Sequence, residues 1–254
     1  MKNTILALLA ISLLPLAARA SEGVLSLSPA VVMLRGDFGQ STTQLLTVRN
    51  NTTHAFSFDL VAQDVIVRDG KRVFVEAGTT AGSIAATAVF SPKHIEIAPG
   101  QNATARITVT LPRDTQQRAV VALFHGTNTI LNGRVPMTAS LGTLLTFTAS
   151  EDVALTATQF RPRTQSTATN VGVAGTCTNT GREPLVAKGV LAVLDARGTL
   201  VGKSEMRPQR LMPGESATID SEYGGALDPG RYRLFVTWDY EGRSLSRSAE
   251  VEVR

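Results

Sequence analysis

The chain has 254 residues, a formal net charge of +4 and a single cysteine, Cys177. This near-neutral balance, without a run of basic residues interleaved with aromatics, argues against nucleic-acid binding. One cysteine excludes an intramolecular disulfide, so each folded unit must be stabilised by burial of its own hydrophobic core.

The first twenty residues, MKNTILALLAISLLPLAARA, have the organisation of a secretory signal peptide. Lys2 supplies the positive start, an apolar run follows from Ile5 to Leu16, and Ala18-Arg19-Ala20 has the small-x-small cleavage pattern. The apolar run is shorter than the ~20 residues that a bilayer-spanning helix needs. We therefore expect cleavage after Ala20 and export of a soluble mature chain that does not insert into a membrane.

Period-two alternation of apolar and polar residues recurs along the rest of the chain, for example in residues 103–111 and 232–240. Turn-forming pairs such as Pro99-Gly100 and Pro213-Gly214 separate these runs, which predicts an all-β protein of two tandem immunoglobulin-like β-sandwiches. The polar segment Ser150-Glu151-Asp152 sets the predicted boundary between a first domain, 21–150, and a second sandwich, 151–254. The predicted strands lie near 24–34, 42–50, 56–68, 72–76, 88–97, 103–111, 118–126 and 134–149, and then near 153–160, 168–179, 185–194, 199–203, 215–221, 230–240 and 244–253.

A short internal echo supports two related units. The segments VRNNT (48–52) and CTNTG (177–181) each end an early strand, and PGQNAT (99–104) and PGESAT (213–218) each lead into an alternating strand. In addition, LDPGRYRLFV (227–236) has the pattern of a tyrosine corner, in which the Tyr232 hydroxyl would bond back across the turn. The alternative is that Tyr232 simply fills the core.

We find no catalytic or metal-binding constellation in the sequence and expect neither enzymatic activity nor a cofactor. The three histidines, His54, His94 and His125, are far apart in sequence and lack the spacing of metal ligands. Cys177 shares strand parity with Val171 and Val173, which predicts an inert, buried thiol. Asp59 and Asp64 could form a carboxylate pair, but the pattern assigns both to polar strand-face positions.

Five segments of the first unit, from about residue 25 to residue 149, carry a family resemblance: LSLSPAVVMLRG, QLLTVRNNTTHAFSFDLVAQDV, FSPKHIEIAPGQNATARITV, RAVVALFHG and VPMTASLGTLLTF. In this order and spacing they resemble the N-terminal domain of the PapD-like periplasmic chaperones that assemble bacterial pili. The second unit has the pattern of a generic immunoglobulin-like module.

This resemblance implies a periplasmic protein that lends its last long strand to an incomplete pilin-like subunit. Main-chain hydrogen bonds would then supply affinity, and alternate side chains would fill pockets in the partner. Leu145 and Phe147 would belong to this domain's own core, and the donor row nearer the loop would consist of Val135, Met137, Ala139 and Leu141. The alternative is that all of these residues are ordinary core residues of the strand.

One feature departs from the family, which anchors the partner's terminal carboxylate with basic residues on the first and last strands. Val31 stands about where the first-strand arginine belongs, and no lysine or arginine occurs between Arg134 and Arg161. The chain therefore either recognises its client differently or has kept the fold without the activity. In the latter case it would be a secreted structural or adhesion protein with immunoglobulin-like spacer domains.

Overall fold

The computed structural model describes residues 23–127, 138–167 and 170–253, and β-strands dominate this part of the chain. The predicted all-β architecture is confirmed. One 3₁₀ turn, Ala85–Thr87, lies in the first sandwich. The strands of the first sandwich are β1 (Leu25–Ser28), β2 (Val31–Arg35), β3 (Ser41–Asn50), β4 (Phe56–Arg68), β5 (Lys71–Glu76), β6 (Val89–Ser91), β7 (His94–Ile97), β8 (Asn102–Thr110), β9 (Ala119–Thr127) and β10 (Thr138–Thr148).

These strands form two sheets that face each other across the first core. The first sheet has the order β1-β3-β8-β6, and the second has the order β2-β10-β9-β4-β5, with β7 also paired to β4. Among the described strands of this sandwich, β2 and β10 form the only parallel pair.

Two predicted strands are each divided in the structure, so the predictions of single strands over 24–34 and 88–97 are wrong. The first divides at Pro29, where β1 pairs with β3 and β2 pairs with β10 in the other sheet. The second divides at Pro92, where β6 pairs with β8 and β7 pairs with β4. Proline lacks the backbone N–H that a ladder needs, so a proline within a strand favours a change of partner there.

The second sandwich consists of β11 (Leu155–Thr167), β12 (Asn170–Asn179), β13 (Leu185–Leu194), β14 (Leu200–Glu205), β15 (Gln209–Leu211), β16 (Ser216–Tyr223), β17 (Gly230–Tyr240) and β18 (Arg243–Val253). Its sheets have the orders β11-β12-β16 and β14-β13-β17-β18, with β15 also paired to β13. The short strand β15 was not predicted. β11 also extends beyond its predicted end, with a register shift between Thr158 and Arg161.

Each sandwich encloses a separate hydrophobic core, which confirms the tandem arrangement. The first core includes Phe56, Phe58 and Phe124, whose neighbouring rings lie 5.9 and 6.3 Å apart between centroids. The second core includes Trp238, with Phe160 packed edge-on against it, and Cys177, which is buried as predicted. We retain residues 150–152 as the proposed boundary between the two domains.

The internal echo in the sequence corresponds to a repeated structural feature, a completely buried asparagine at the end of an early strand. In the first sandwich the Asn50 side-chain amide donates hydrogen bonds to the carbonyl oxygens of His54 (2.7 Å) and Ile97 (3.2 Å). The equivalent bonds of Asn179 reach the carbonyl oxygens of Glu183 (2.8 Å) and Leu211 (3.1 Å).

The two Pro-Gly turns of the echo contact these same asparagines. The Gly100 N–H donates to the Asn50 carbonyl oxygen at 2.7 Å, and the Gly214 N–H donates to the Asn179 carbonyl oxygen at 2.9 Å. Both pairs of echo segments therefore form the same corner, once in each sandwich. The tyrosine corner is also confirmed, because the Tyr232 hydroxyl donates to the Asp228 carbonyl oxygen at 2.7 Å.

The second domain packs against the outer face of the first domain's second sheet. Met212 is buried there in a small cluster with Val65, Ala119 and Val121. At the adjacent β4–β5 turn, the Ser216 N–H donates to the Gly70 carbonyl oxygen at 2.8 Å.

A buried ion pair lies at the same junction. The Arg118 Nε lies 2.9 Å from the Glu183 carboxylate, and their side chains are only 6% and 0% exposed. The Glu183 carboxylate also accepts the Ala149 N–H at 3.1 Å and the Ser150 hydroxyl at 2.8 Å. Glu183 therefore links the end of the first domain to the body of the second.

Two further arginines of the first domain pair with acidic residues beyond the last strand of that domain. Arg72 Nε lies 2.8 Å from the Glu215 carboxylate, and Arg35 lies 2.9 Å from the Glu151 carboxylate. The Arg72 pair is largely buried, whereas the Arg35 pair is exposed to solvent.

Candidate functional site at a free sheet edge

The strand β10 is paired along most of its length on one side and along only half of it on the other. Residues Thr138–Thr146 pair with β9, whereas β2 pairs only with Leu144–Thr148. Within the described residues, the stretch 138–143 has no strand partner on the β2 side. This stretch is an open edge in line with β2.

The backbone groups that face this open edge follow from the alternation of a β-strand. The Leu144 N–H donates to the Ala30 carbonyl oxygen at 3.0 Å on the β2 side, whereas the Phe147 N–H donates to the Arg118 carbonyl oxygen at 2.8 Å on the β9 side. Even-numbered residues therefore direct their backbone groups toward β2. It follows that Thr138, Ser140 and Gly142 present theirs to the open side, and we call these three residues the free edge.

The space beside the free edge ends where β2 begins. The Thr143 hydroxyl donates to the Pro29 carbonyl oxygen at 2.7 Å, and the Leu144 N–H reaches the next residue, Ala30. An extended chain lying beside the free edge would therefore meet Pro29, Ala30 and then Val31, the first residue of β2. We call this space the open lane.

The odd-numbered side chains of β10 face the first core. Leu145 and Phe147 are buried members of that core, as predicted. Ala139 and Leu141 are half-buried and pack against the same core from its margin. Their assignment to the donor row stays a prediction, because the core extends to them without fully covering them. The other two predicted donor residues, Val135 and Met137, lie outside the described residues.

The outer face of the sheet brings together residues that the sequence separates. Register places His94, Asp59, His125 and Ser140 in one row across β7, β4, β9 and β10. His94 Nδ1 lies 2.8 Å from Asp59 Oδ1, and His125 Nδ1 lies 3.0 Å from the Ser140 hydroxyl oxygen. The hydrogen bond to Asp59 raises the pKa of His94 above 6.5, because it stabilises the protonated ring. Sequence spacing could not reveal this row, since it depends on the register of four strands.

Asp64 does not occupy the polar strand-face position that was predicted for it. Its side chain is buried, and its carboxylate accepts the Ala85 N–H at 2.8 Å and the Thr80 hydroxyl at 3.3 Å. Asp64 faces the core because even-numbered residues of β4 do so. Its hydrogen bond with the Ala85 N–H stabilises the start of the 3₁₀ turn. Asp59 has the opposite parity and is exposed.

In the described ranges, no three or more His, Cys, Asp and Glu side chains are arranged to hold a metal ion. The same ranges contain no helix with the length and apolar character needed to cross a membrane.

The fold is similar to that of several solved fimbrial chaperones. A class 5 fimbriae chaperone, CfaA, is 13% identical with a TM-score of 0.49, and the alignment covers 89% of this chain and 99% of that one. The CsuC–CsuE chaperone–tip adhesion subunit complex of Acinetobacter baumannii gives 9% identity and a TM-score of 0.44, with coverage of 89% and 98%. The E. coli chaperone DraB gives 16% identity and a TM-score of 0.39, with coverage of 92% and 98%.

No family model and no curated protein sequence matches the chain. The similarity to these structures concerns the fold alone.

Proposed function

We propose that this protein is a periplasmic, chaperone-like protein that binds an extended segment of another exported protein by strand addition. The partner segment would occupy the open lane, and a pilin-like subunit is the partner class that we propose. Export would depend on the leader, residues 1–20, which lie outside the described residues.

The observation that carries this proposal is the free edge itself. Thr138, Ser140 and Gly142 direct backbone groups toward a side of β10 on which no described strand lies. An edge of this kind is a template for pairing with another chain, and natural proteins usually shorten or block such edges. A partner strand would satisfy these backbone groups with main-chain hydrogen bonds.

The side chains beside the free edge support the same proposal. Ala139 and Leu141 are half-buried at the margin of the core, so part of their apolar surface stays uncovered in the isolated chain. A partner that completes its own sandwich against β10 would remove this surface from water. We propose that Val135 and Met137, which share the parity of these residues, continue the row toward the loop.

The domain junction supports an alternative function, a rigid spacer in a structural or adhesion protein. The buried Arg118–Glu183 pair and the packing of Met212 would hold the two sandwiches in a fixed relation. A spacer needs no partner at β10, so the two functions differ in whether changes at the free edge affect binding of a second protein.

Proline substitutions can test the hydrogen bonds on the two sides of β10 separately. Ser140→Pro removes an N–H that faces the open lane and leaves the β9 ladder intact, and proline is tolerated at such edge positions. Leu141→Pro is the matched control, because it removes an N–H on the β9 side. We expect Ser140→Pro to abolish co-purification with a pilin-like subunit while the protein stays folded. We expect Leu141→Pro to reduce the urea midpoint strongly.

The donor side chains are tested by Leu141→Glu, with Phe147→Ala as the control for core damage. A charge cannot enter an apolar pocket of the partner unpaired, so Leu141→Glu should abolish binding. Phe147→Ala removes a core aromatic, which typically costs about 3–5 kcal/mol of stability. Binding of the subunit by Ser140→Pro and Leu141→Glu at the affinity of the unmodified protein would refute strand addition at β10.

A further inference from the structure

The residues around the end of the open lane determine which kind of partner residue can bind there. The free edge spans residues 138–142, so the lane is about 15 Å long at the usual rise per residue. Pro29 and Ala30 close the lane, and the next residue, Val31, pairs with Leu144. Because Val31, Met33 and Arg35 alternate with core-facing residues, the Val31 side chain stands on the outer face of the sheet.

The sheet around the lane's end is apolar. Val31 is 40% exposed, Leu144 and Leu123 are half-buried, and Val61 is 41% exposed. Register places Val31, Leu144, Leu123 and Val61 on adjoining strands of this outer face. Met212 of the second domain lies farther along the same face. It packs in a cluster to which Leu123 and Leu144 also belong. This face therefore already accepts an apolar side chain from another domain.

The nearby cations of the domain junction are engaged elsewhere. Among the described residues, Arg35 pairs with Glu151, Arg118 with Glu183, and Arg72 with Glu215. A carboxylate at the lane's end would thus find apolar neighbours and arginines that already have acidic partners.

We propose that the end of the open lane receives a neutral, apolar residue of the partner strand and discriminates against a chain-terminal carboxylate. This proposal rests on the proposed function, because it describes the partner of the same site. The physical reason is the cost of removing a carboxylate from water without a compensating cation or hydrogen bond. The partner segment would therefore be internal to its chain, and would turn away from the sheet at Val31 instead of ending there.

The test uses an N-acetylated nine-residue peptide of alternating valine and threonine, prepared as the free acid and as the C-terminal amide. Isothermal titration calorimetry on the full mature chain should show tighter binding of the amide, by about fivefold, which corresponds to about 1 kcal/mol. The Ser140→Pro variant should bind neither peptide. Raising the salt concentration should leave the affinity for the amide unchanged, since no ion pair contributes.

The Val31→Arg variant should reverse this preference, because it adds a cation at the lane's end. Met33→Arg is the matched control: it adds the same charge on the same exposed face of β2, two residues farther from the lane. We expect the free acid to gain affinity only with Val31→Arg. Equal affinities of acid and amide, tighter binding of the acid by the unmodified chain, or no reversal with Val31→Arg would overturn this proposal alone. Absence of binding by both peptides would overturn it together with the proposed function.

Discussion

The buried ion pair between Arg118 and Glu183 makes the domain junction sensitive to the loss of a single charge. The substitution Glu183→Gln keeps the shape of the side chain but leaves the Arg118 guanidinium buried without a counter-ion. Removing one partner of a buried pair costs about 3–5 kcal/mol. The glutamine oxygen can still accept one hydrogen bond, from the Ala149 N–H or the Ser150 hydroxyl, so we expect a loss of about 3 kcal/mol.

Two comparisons separate this charge effect from a general loss of packing. The double variant Arg118→Met/Glu183→Leu removes both charges and should be more stable than Glu183→Gln, because apolar replacement of a buried pair is often neutral or stabilising. The exposed pair is the second control. Arg35→Met breaks a contact whose side chains are 74% and 80% exposed, so we expect a cost of about 1 kcal/mol or less.

Equilibrium unfolding in urea measures these differences. We expect the two sandwiches to unfold together in the unmodified protein, and Glu183→Gln to separate their unfolding into two transitions. If Glu183→Gln costs no more than Arg35→Met, or if the double variant is less stable than Glu183→Gln, the buried pair does not stabilise the junction as argued.

Three further predictions concern single residues. Asn50→Ala and Asn179→Ala should each cost about 1–3 kcal/mol in urea unfolding, because each leaves buried backbone groups unpaired; a loss in one sandwich only would refute the equivalence of the two corners. By NMR titration, the pKa of His94 should lie above 6.5 and should fall in the Asp59→Asn variant. An unchanged pKa in that variant would contradict the 2.8 Å hydrogen bond. Cys177 should react with a thiol reagent only after unfolding, because burial both covers the thiol and raises its pKa, and addition of reductant should not change the urea midpoint.

Several strands that remain in one sheet could be predicted from the sequence almost to the residue. The predicted strands over 56–68, 185–194 and 230–240 coincide with β4, β13 and β17, because alternation and flanking turns specify them locally. The strands that divide at Pro29 and Pro92 could not be predicted, because the alternation continues across each proline while the pairing partner changes. The short β15 was missed because three residues are too few to show a period.

The candidate site could be predicted only in part. Parity and resemblance correctly placed Leu145 and Phe147 in the core of the first sandwich. They could not show that Ala139 and Leu141 lie at the margin of the core, because the extent of covering depends on the opposite sheet. The free edge likewise depends on where β2 begins to pair, which is a property of two strands more than a hundred residues apart in sequence.

The most direct test of strand addition is amide hydrogen exchange of β10, measured by NMR in the free protein and in its complex with a pilin-like subunit. In the free protein, the amides of Ser140 and Gly142 should exchange rapidly, whereas the amide of Leu141 should already be protected by β9. Binding should protect Ser140 and Gly142 strongly, and the protection of Leu141 should change little. If Ser140 and Gly142 exchange as rapidly in the complex as in the free protein, no strand pairs with the free edge and the account is contradicted.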